Sequence, residues 1–183
     1  MKNQNTRSFS GPRRREREVR EYEEKVLEID RVARVVKGGK RFKFRAAVAI
    51  GNRKGKVGFG VGKGVDVAQA VAKASHQAKK NIVEVPLGRG TIPFEIKIKF
   101  NSAVIFLKPA SPGRGINAGG AVRAISELAG YKDIIAKILS RSGNKINNAR
   151  AALKAFRIIA AKTNKHDANM RMDTNETNKP RIH

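Results

Sequence analysis

The fold is decided by the stretch "RVVKGGKRFKFRAAVAIGNRKGKVGFGVGKG", residues 34–64. Apolar and polar residues alternate along it, and two glycine-containing segments, Gly38-Gly39 and residues 51–56, interrupt the alternation. Side chains of a β-strand point to opposite faces in turn, and a glycine pair between two alternating runs is typical of a tight hairpin. The stretch therefore predicts antiparallel strands joined by short turns, with the first strand beginning near Val26.

The second strand of this unit has one apolar face and one face that begins cationic. The apolar face carries Phe42, Phe44, Ala46, Val48 and Ile50, and the opposite face carries Arg41, Lys43 and Arg45. The third strand is predicted to point Val57, Phe59 and Val61 towards the core and Gly58, Gly60 and Gly62 outward. Asp66 is a suitable N-cap for an alanine-rich helix over residues 66–82, which completes a β-β-β-α unit.

The alternate glycines of residues 58–64 match neither of two common nucleotide-binding loops. The dinucleotide fingerprint G-x-G-x-x-G fails because Lys63, Val65 or Val67 occupies its last glycine position, depending on the register. The P-loop fails because valine stands five residues before the Gly62-Lys63 pair and another glycine follows it. A strand face without Cβ atoms permits close approach, so two interpretations stay open: contact with a partner such as RNA, or packing against the protein's own elements.

A second unit is expected after "VPLGRGTIP", residues 85–93, whose two prolines and two glycines interrupt the periodicity. Residues 94–100 alternate again and residues 103–108 are more uniformly apolar, so they predict a second hairpin. A helix carrying Val122, Ile125 and Leu128 should end at Gly130. Residues 132–139 fit a short strand or part of a helix, and the last helix is predicted over residues 147–162.

These elements predict an α+β protein made of two small α/β-sandwich domains. The predicted organisation is a basic flexible arm at 1–21, a first domain at 22–85, a second domain at 86–162 and a flexible polar tail at 163–183. The chain contains no cysteine, so a reducing, cytoplasmic compartment is expected.

The charge of the chain indicates an anionic partner. Forty lysines and arginines face only 15 acidic residues, which gives a net charge of +25. Such a charge repels itself strongly unless a polyanion lies beside it. The sequence has no long apolar run, no signal peptide and no apolar-faced basic helix, so a nucleic acid is favoured over a membrane surface.

The positive charge is concentrated in residues 31–65, which contain eleven lysines and arginines and no acidic residue. This segregation indicates a phosphate-facing surface, whereas a solvated face usually mixes both signs. No base-reading helix is evident, so recognition of folded RNA by shape fits better than sequence-specific DNA binding. The predicted contacts are Arg31, Arg34, Lys37, Lys40, Arg41, Lys43, Arg45, Arg53, Lys54, Lys56 and Lys63.

Two long segments carry a resemblance to a known family. "RVVKGGKRFKFRAAVAIGNRKGKVGFGVGKGVDVAQAVAKA" and "PASPGRGINAGGAVRAISELAG" closely resemble the family of small-subunit ribosomal protein five, and the likeness covers about residues 22–157. The resemblance implies a first domain like a shortened double-stranded-RNA-binding module and a second domain of the family's own type. It also implies binding to 16S ribosomal RNA, contacts with ribosomal proteins four and eight, and a place near the messenger RNA entry channel.

The resemblance also assigns individual residues. The family's first hairpin reaches into RNA, so Lys37, Gly38 and Gly39 carry over as RNA contacts. The glycine-rich loop at 113–120 is implied to face protein four and to affect decoding accuracy. From the residues alone, the same loop could instead hold a phosphate on converging N–H groups. Its candidate residues are Gly113, Arg114, Gly115, Asn117, Gly119 and Gly120.

Two alternatives to a ribosomal protein remain. A small-molecule kinase would use the loop Pro109–Gly115, which satisfies P-x-x-x-G-x-G, but Ile116-Asn117-Ala118 follows where hydroxylic residues would help to bind phosphate. The acidic residues and the three histidines show no metal-ligand or catalytic spacing, so no enzyme activity, cofactor, metal or small-molecule substrate is expected. A free-standing RNA chaperone is the non-enzymatic alternative.

Overall fold

The computed structural model describes residues 21–176, and side chains are described as far as residue 164. The predicted arm, apart from residue 21, and the last seven residues of the predicted tail lie outside the described residues, as do the side chains of His166 and His183. Within the described part, two four-stranded sheets and three helices form the α+β fold predicted from the sequence.

The first sheet is antiparallel and has the order β1-β2-β3-β4. Its elements are β1 (Glu23–Val36), β2 (Gly39–Gly51), β3 (Lys56–Gly64), α1 (Val67–Lys80) and β4 (Ile82–Glu84). Asp66 caps α1 as predicted, because its Oδ2 accepts a hydrogen bond from the N–H of Ala68 at 3.3 Å. Strand β4 was not predicted, because it has only three residues and too little pattern to separate it from the end of the helix.

The second sheet has the order β5-β6-β8-β7, with β7 and β8 parallel. Its elements are β5 (Ile96–Phe100), β6 (Ala103–Pro109), β7 (Ile116–Asn117), α2 (Gly120–Ala129), β8 (Ile134–Ile138) and α3 (Lys145–Glu176). Strand β8 resolves the ambiguity over residues 132–139. Gly130 ends α2 as predicted, with a φ of 99° and its N–H donated to the carbonyls of Ser126 and Glu127.

Helix α3 is longer than predicted at both ends. It begins at Lys145 because the Asn144 side chain accepts from the N–H groups of Ile146 and Asn147 at 3.0 and 3.1 Å. It continues past residue 162 to Glu176, so the prediction that ordered structure ends near 162 is wrong. The apolar periodicity fades there, but no glycine or proline interrupts the chain before Pro180.

The elements stack in four layers, and each face of the first sheet packs on something different. Helix α1 covers one face through Ala70, Ala74 and Ala78, all fully buried. The opposite face of the sheet packs on α2 and α3 of the second domain, and the second sheet covers those helices from the far side. Both faces of β2 are therefore buried over residues 46–50.

This arrangement corrects the prediction for one face of β3. Val57, Phe59 and Val61 belong to the core shared with the second domain, and the intervening glycines lie directly beneath α1. The predicted alternation of β3 is correct. The glycine face was wrongly predicted to point outward, because glycine carries no side chain to bury. The prediction that Val57, Phe59 and Val61 face the core is therefore confirmed, whereas the glycine face is covered by α1 and does not point outward.

Candidate nucleic-acid interface

The β1–β2 hairpin extends beyond the rest of the first sheet. Strand β3 pairs with β2 only as far as Phe44 and Gly64, so the hairpin is two-stranded beyond the Arg31–Phe44 pair; we call residues 31–43 the ribbon, with Arg31 at its base. Five residue pairs beyond that point correspond to a length of about 17 Å. The turn consists of Lys37 and Gly38, one residue earlier than predicted, because Gly39 pairs with Val36 as the first residue of β2.

The ribbon carries six exposed cations: Arg31, Arg34, Lys37, Lys40, Arg41 and Lys43. Within the described part of the chain, none of them forms a salt bridge. Arg34 stands directly opposite Arg41 in the strand register, and like charges in such a pair destabilise the hairpin. No salt bridge within the described residues offsets this repulsion.

The ribbon also exposes apolar groups. Phe42 is 46% exposed, and the Arg31 guanidinium carbon lies 3.8 Å from the centroid of its ring. A stacked pair of this kind offers a flat cation to a phosphate or a base. A Cβ atom added at Gly38 or Gly39 would meet nothing within 4 Å, so the space beside both glycines is open.

Three other cations of the predicted cluster are already paired. Arg45 donates to Asp30 at 2.7 Å, Arg53 to Glu23 at 2.8 Å, and the Lys56 Nζ lies 3.3 Å from a Glu84 oxygen. The hydrogen bond and charge of Glu84 raise the pKa of Lys56. The carboxylates belong to β1 and β4, outside the acid-free segment. Lys54 and Lys63 are exposed and make no salt bridge among the described residues.

The second turn, residues 51–55, joins the two domains and is not a free tip. The N–H groups of Arg53 and Gly55 donate to the carbonyls of Leu128 and Ala129 at 3.0 and 2.9 Å, so the turn is fixed to the end of α2. A Cβ atom at Gly51 would lie within 3.0 Å of the Leu128 carbonyl group, and one at Gly130 would lie equally close to that of Arg53. Glycine is required on both sides of this junction.

The glycine run of β3 also serves internal packing. A Cβ atom at Gly58, Gly60, Gly62 or Gly64 would lie within 3.0 Å of backbone atoms of α1 or its cap. The interpretation that these glycines face RNA is therefore wrong, and the alternative of close packing within the protein is correct. Short side chains on both elements bring helix and strand backbones close together.

The loop at 113–120 is largely exposed to solvent, but one of its backbone N–H groups is hydrogen-bonded within the protein. Gly113 and Gly115 have positive φ angles of 82° and 73°, and the Gly115 N–H donates to the Asp133 carboxylate at 2.7 Å. That N–H is consequently not available to a phosphate. Arg114, Asn117, Gly119 and Gly120 are exposed, although a Cβ atom at Gly119 would lie 3.1 Å from the Ile138 side chain. The structure places this loop in the second domain, between the end of β6 and the start of α2.

Two features of the described residues bear on catalysis: the lining of one cleft and the distribution of potential metal ligands. A cleft of about 690 Å³ lies between the domains, and the residues that line it include arginines and a lysine but no carboxylate or histidine. No group of three or more potential metal ligands occurs among residues whose positions are described. In the same part of the chain, no helix is long and apolar enough to cross a bilayer.

Fold and surface together define a two-domain α+β protein with a protruding cationic hairpin. Residues 22–86 match the family model for the N-terminal domain of ribosomal protein S5, and residues 98–170 match the model for its C-terminal domain. The chain therefore belongs to the ribosomal protein S5 family, as the sequence resemblance predicted, and this family is structural and not enzymatic.

Two relatives show how far the likeness extends. Small ribosomal subunit protein uS5 of Thermus thermophilus is 50% identical over 142 residues, which are 78% of this chain and 87% of that protein. The protein of the same name from Campylobacter jejuni subsp. jejuni is 50% identical over 139 residues, 76% of this chain and 94% of its own length. The similarity thus covers most of the length of both proteins in each comparison.

Proposed function

We propose that this protein is a structural constituent of the small ribosomal subunit and that its ribbon, residues 31–43, enters a cleft in folded ribosomal RNA. The observation that carries the proposal is the facing pair of Arg34 and Arg41, neither of which forms a salt bridge in the described structure. A two-stranded ribbon is narrow enough for a groove, since neighbouring strands lie about 4.8 Å apart. Phosphate groups on either side would convert the repulsion within the ribbon into attraction.

The function of the ribbon is positioning, because phosphate contacts fix orientation without reading sequence. Of the predicted contacts, we assign direct phosphate binding to the six unpaired ribbon cations, with Gly38 and Gly39 allowing close approach at the tip. Lys54 and Lys63 remain secondary candidates. Arg45, Arg53 and Lys56 are assigned to the protein's own carboxylates, which reduces what they can contribute to RNA.

The second domain is proposed to dock on neighbouring ribosomal proteins. Its open loop at 113–120, with exposed Arg114 and Asn117, is the candidate contact for protein four, and a further surface would meet protein eight. Proximity to messenger RNA and an influence on decoding accuracy belong to the same proposal. The matched ranges 22–86 and 98–170 support the domain boundary placed near residue 86.

The test compares two triple variants with the same loss of charge. Lys37→Gln with Lys40→Gln and Arg41→Gln removes unpaired ribbon cations, and Arg53→Gln with Lys54→Gln and Lys56→Gln removes mainly paired ones. Affinity for small-subunit ribosomal RNA is measured against salt concentration. The ribbon variant should lower the log–log slope by about 0.7–0.9 for each lost phosphate contact, and the junction variant by less.

Equal slopes for wild type and the ribbon variant would contradict the proposed role of the ribbon. Sedimentation distinguishes a ribosomal constituent from a free-standing RNA chaperone. The ribosomal constituent migrates with small subunits at moderate salt, and the chaperone does not.

A further inference from the structure

The second sheet leaves one face uncovered within the described part of the molecule. On its inner face, Ala103, Ile105 and Leu107 of β6 are fully buried against α2 and α3. The alternate residues Val104 and Phe106 are only half-buried and belong to neither hydrophobic core. Strand β8 repeats this difference, since Ala136 is buried and Ile135 is not fully buried. An aromatic ring therefore lies on an open sheet surface.

Lysines surround this ring. In the strand register, Lys97 of β5 pairs with Phe106 of β6, and Phe106 pairs in turn with Lys137 of β8. Lys99 and Lys108 lie on the same face and are exposed. We call this surface the outer sheet face; its members are Lys97, Lys99, Val104, Phe106, Lys108, Ile135 and Lys137.

The lysines of the outer sheet face are not paired with a carboxylate among the described residues. None of the four forms a salt bridge there, and Glu95, just before β5, also makes none. The chain's own N-terminal segment is a poor occupant, because residues 1–20 contain seven basic and two acidic residues. Repulsion between like charges makes an anionic partner from outside the chain the favourable occupant.

The chemistry of the face distinguishes among anionic partners. Lysines alone suit any acidic surface, but a partly exposed phenylalanine between two lysines combines a flat apolar platform with charges on both sides. Unpaired nucleotides present both complementary groups, a base that stacks on an aromatic ring and a phosphate that pairs with lysine. A folded duplex keeps its bases stacked internally and would not use the ring.

We propose that the outer sheet face binds unpaired ribonucleotides, with a base stacked on Phe106 and the flanking phosphates held by Lys97, Lys99, Lys108 and Lys137. The choice of RNA as the ligand rests on the proposed ribosomal function. The face lies in the second domain, so the protein would contact RNA through both domains: duplex or folded regions through the ribbon, and a single strand through the sheet.

The experiment measures binding of the full chain to a single-stranded oligouridylate of roughly 12 nucleotides, within the usual site size for stacking platforms. Phe106→Leu keeps an apolar residue but removes the ring, and should weaken binding by about five-fold to a hundred-fold. Replacing the four lysines with glutamine should lower the log–log salt slope by about 0.7 for each lost contact. The charge-matched control replaces the exposed helix and loop residues Lys73, Lys79, Lys80 and Lys132.

Thermal unfolding of each variant must match wild type, and Phe106→Tyr, which retains the stacking ring, should restore most of the affinity. Equal affinities for wild type and Phe106→Leu would overturn the proposal, as would an equal loss in the charge-matched control. Selective loss of binding to an acidic ribosomal protein, with oligouridylate binding intact, would assign the face to a protein instead. The ribbon variant tested on folded ribosomal RNA reports on the proposed function separately.

Discussion

The two ends of strand β2 have similar compositions and opposite roles. Its N-terminal end adjoins the turn Lys37-Gly38, and its C-terminal end adjoins residues 51–55, so both turns combine glycine with cations. At the first turn, Cβ atoms on the glycines would meet nothing within 4 Å. At the second, the backbone is hydrogen-bonded to α2 of the other domain. The comparison shows that a basic, glycine-rich turn is accessible to a partner only where no other part of the protein occupies it.

The two ends of β2 also differ in how deeply their side chains are buried. Phe42 near the tip is 46% exposed, whereas residues 46–50 are buried on both faces, one under α1 and the other against the second domain. The packed end anchors the ribbon, because a two-stranded hairpin alone is only marginally stable in water. A rigid base with an uncovered tip suits an element that must hold one orientation in RNA.

The largest expected effect follows from adding one methyl group at the packed end. Gly60→Ala places a Cβ atom within 3.0 Å of the backbone of Ala74 and Ala78 in α1, and the helix must move to make room. We expect a loss of about 3 kcal/mol in the free energy of unfolding, measured by denaturant titration. Gly38→Ala at the uncovered tip is the control and should change stability by less than about 0.5 kcal/mol. Equal stabilities for the two variants would remove the distinction between the ends.

A smaller effect is expected at the junction of the domains. Gly130→Ala forces a Cβ atom towards the Arg53 carbonyl at a φ of 99°, so we expect a cost of about 2 kcal/mol. Hydrogen exchange should also accelerate at the N–H groups of Arg53 and Gly55, which donate across the junction. Gly143→Ala is the control, because its Cβ atom would meet nothing within 4 Å. Unchanged exchange at both N–H groups would show that the turn is not fixed by α2.

The smallest effect concerns the ion pairs near the same junction. Hydrogen bonds from Lys25 and Arg123 lower the pKa of Glu127, so its stabilising contribution is present above the ordinary carboxyl value and declines as pH falls through the lowered pKa. Glu127→Gln should cost about 0.5 kcal/mol at pH 7 and flatten the loss of stability below about pH 4.5. Glu95→Gln, without a salt bridge in the described structure, should do neither. An unchanged acid limb in the Glu127 variant would show that the pair does not couple β1 to α2.

Several elements could be predicted because their causes lie close together in the sequence. Asp66 capping α1, Gly130 ending α2 and the two-sided pattern of β2 each depend on neighbouring residues and on strand or helix periodicity. Two elements were predicted incompletely, also for reasons that lie in their own sequences. Strand β4 is too short to show a pattern, and α3 continues to Glu176 through residues with no apolar stripe.

The sequence predicted which segment carries the candidate site, but not which of its cations are paired with the protein's own carboxylates. Eleven cations in residues 31–65 indicated an RNA surface, yet three of them pair with Glu23, Asp30 and Glu84, which lie outside that segment. Strand pairing brings those carboxylates alongside, and no pattern within the segment reveals them. The glycines of β3 posed the same difficulty, because a bare strand face fits a partner's backbone and the protein's own helix equally well.

By itself, the sequence determined the class of the protein: its charge requires a polyanion, its alternation requires two sheets, and its two long motifs define the family. Tertiary structure alone decided which glycines and cations are available to a partner. Availability depends on whether α1, α2 or a neighbouring carboxylate already lies against a residue, and those contacts join positions up to about a hundred residues apart, as Lys25 and Glu127 illustrate.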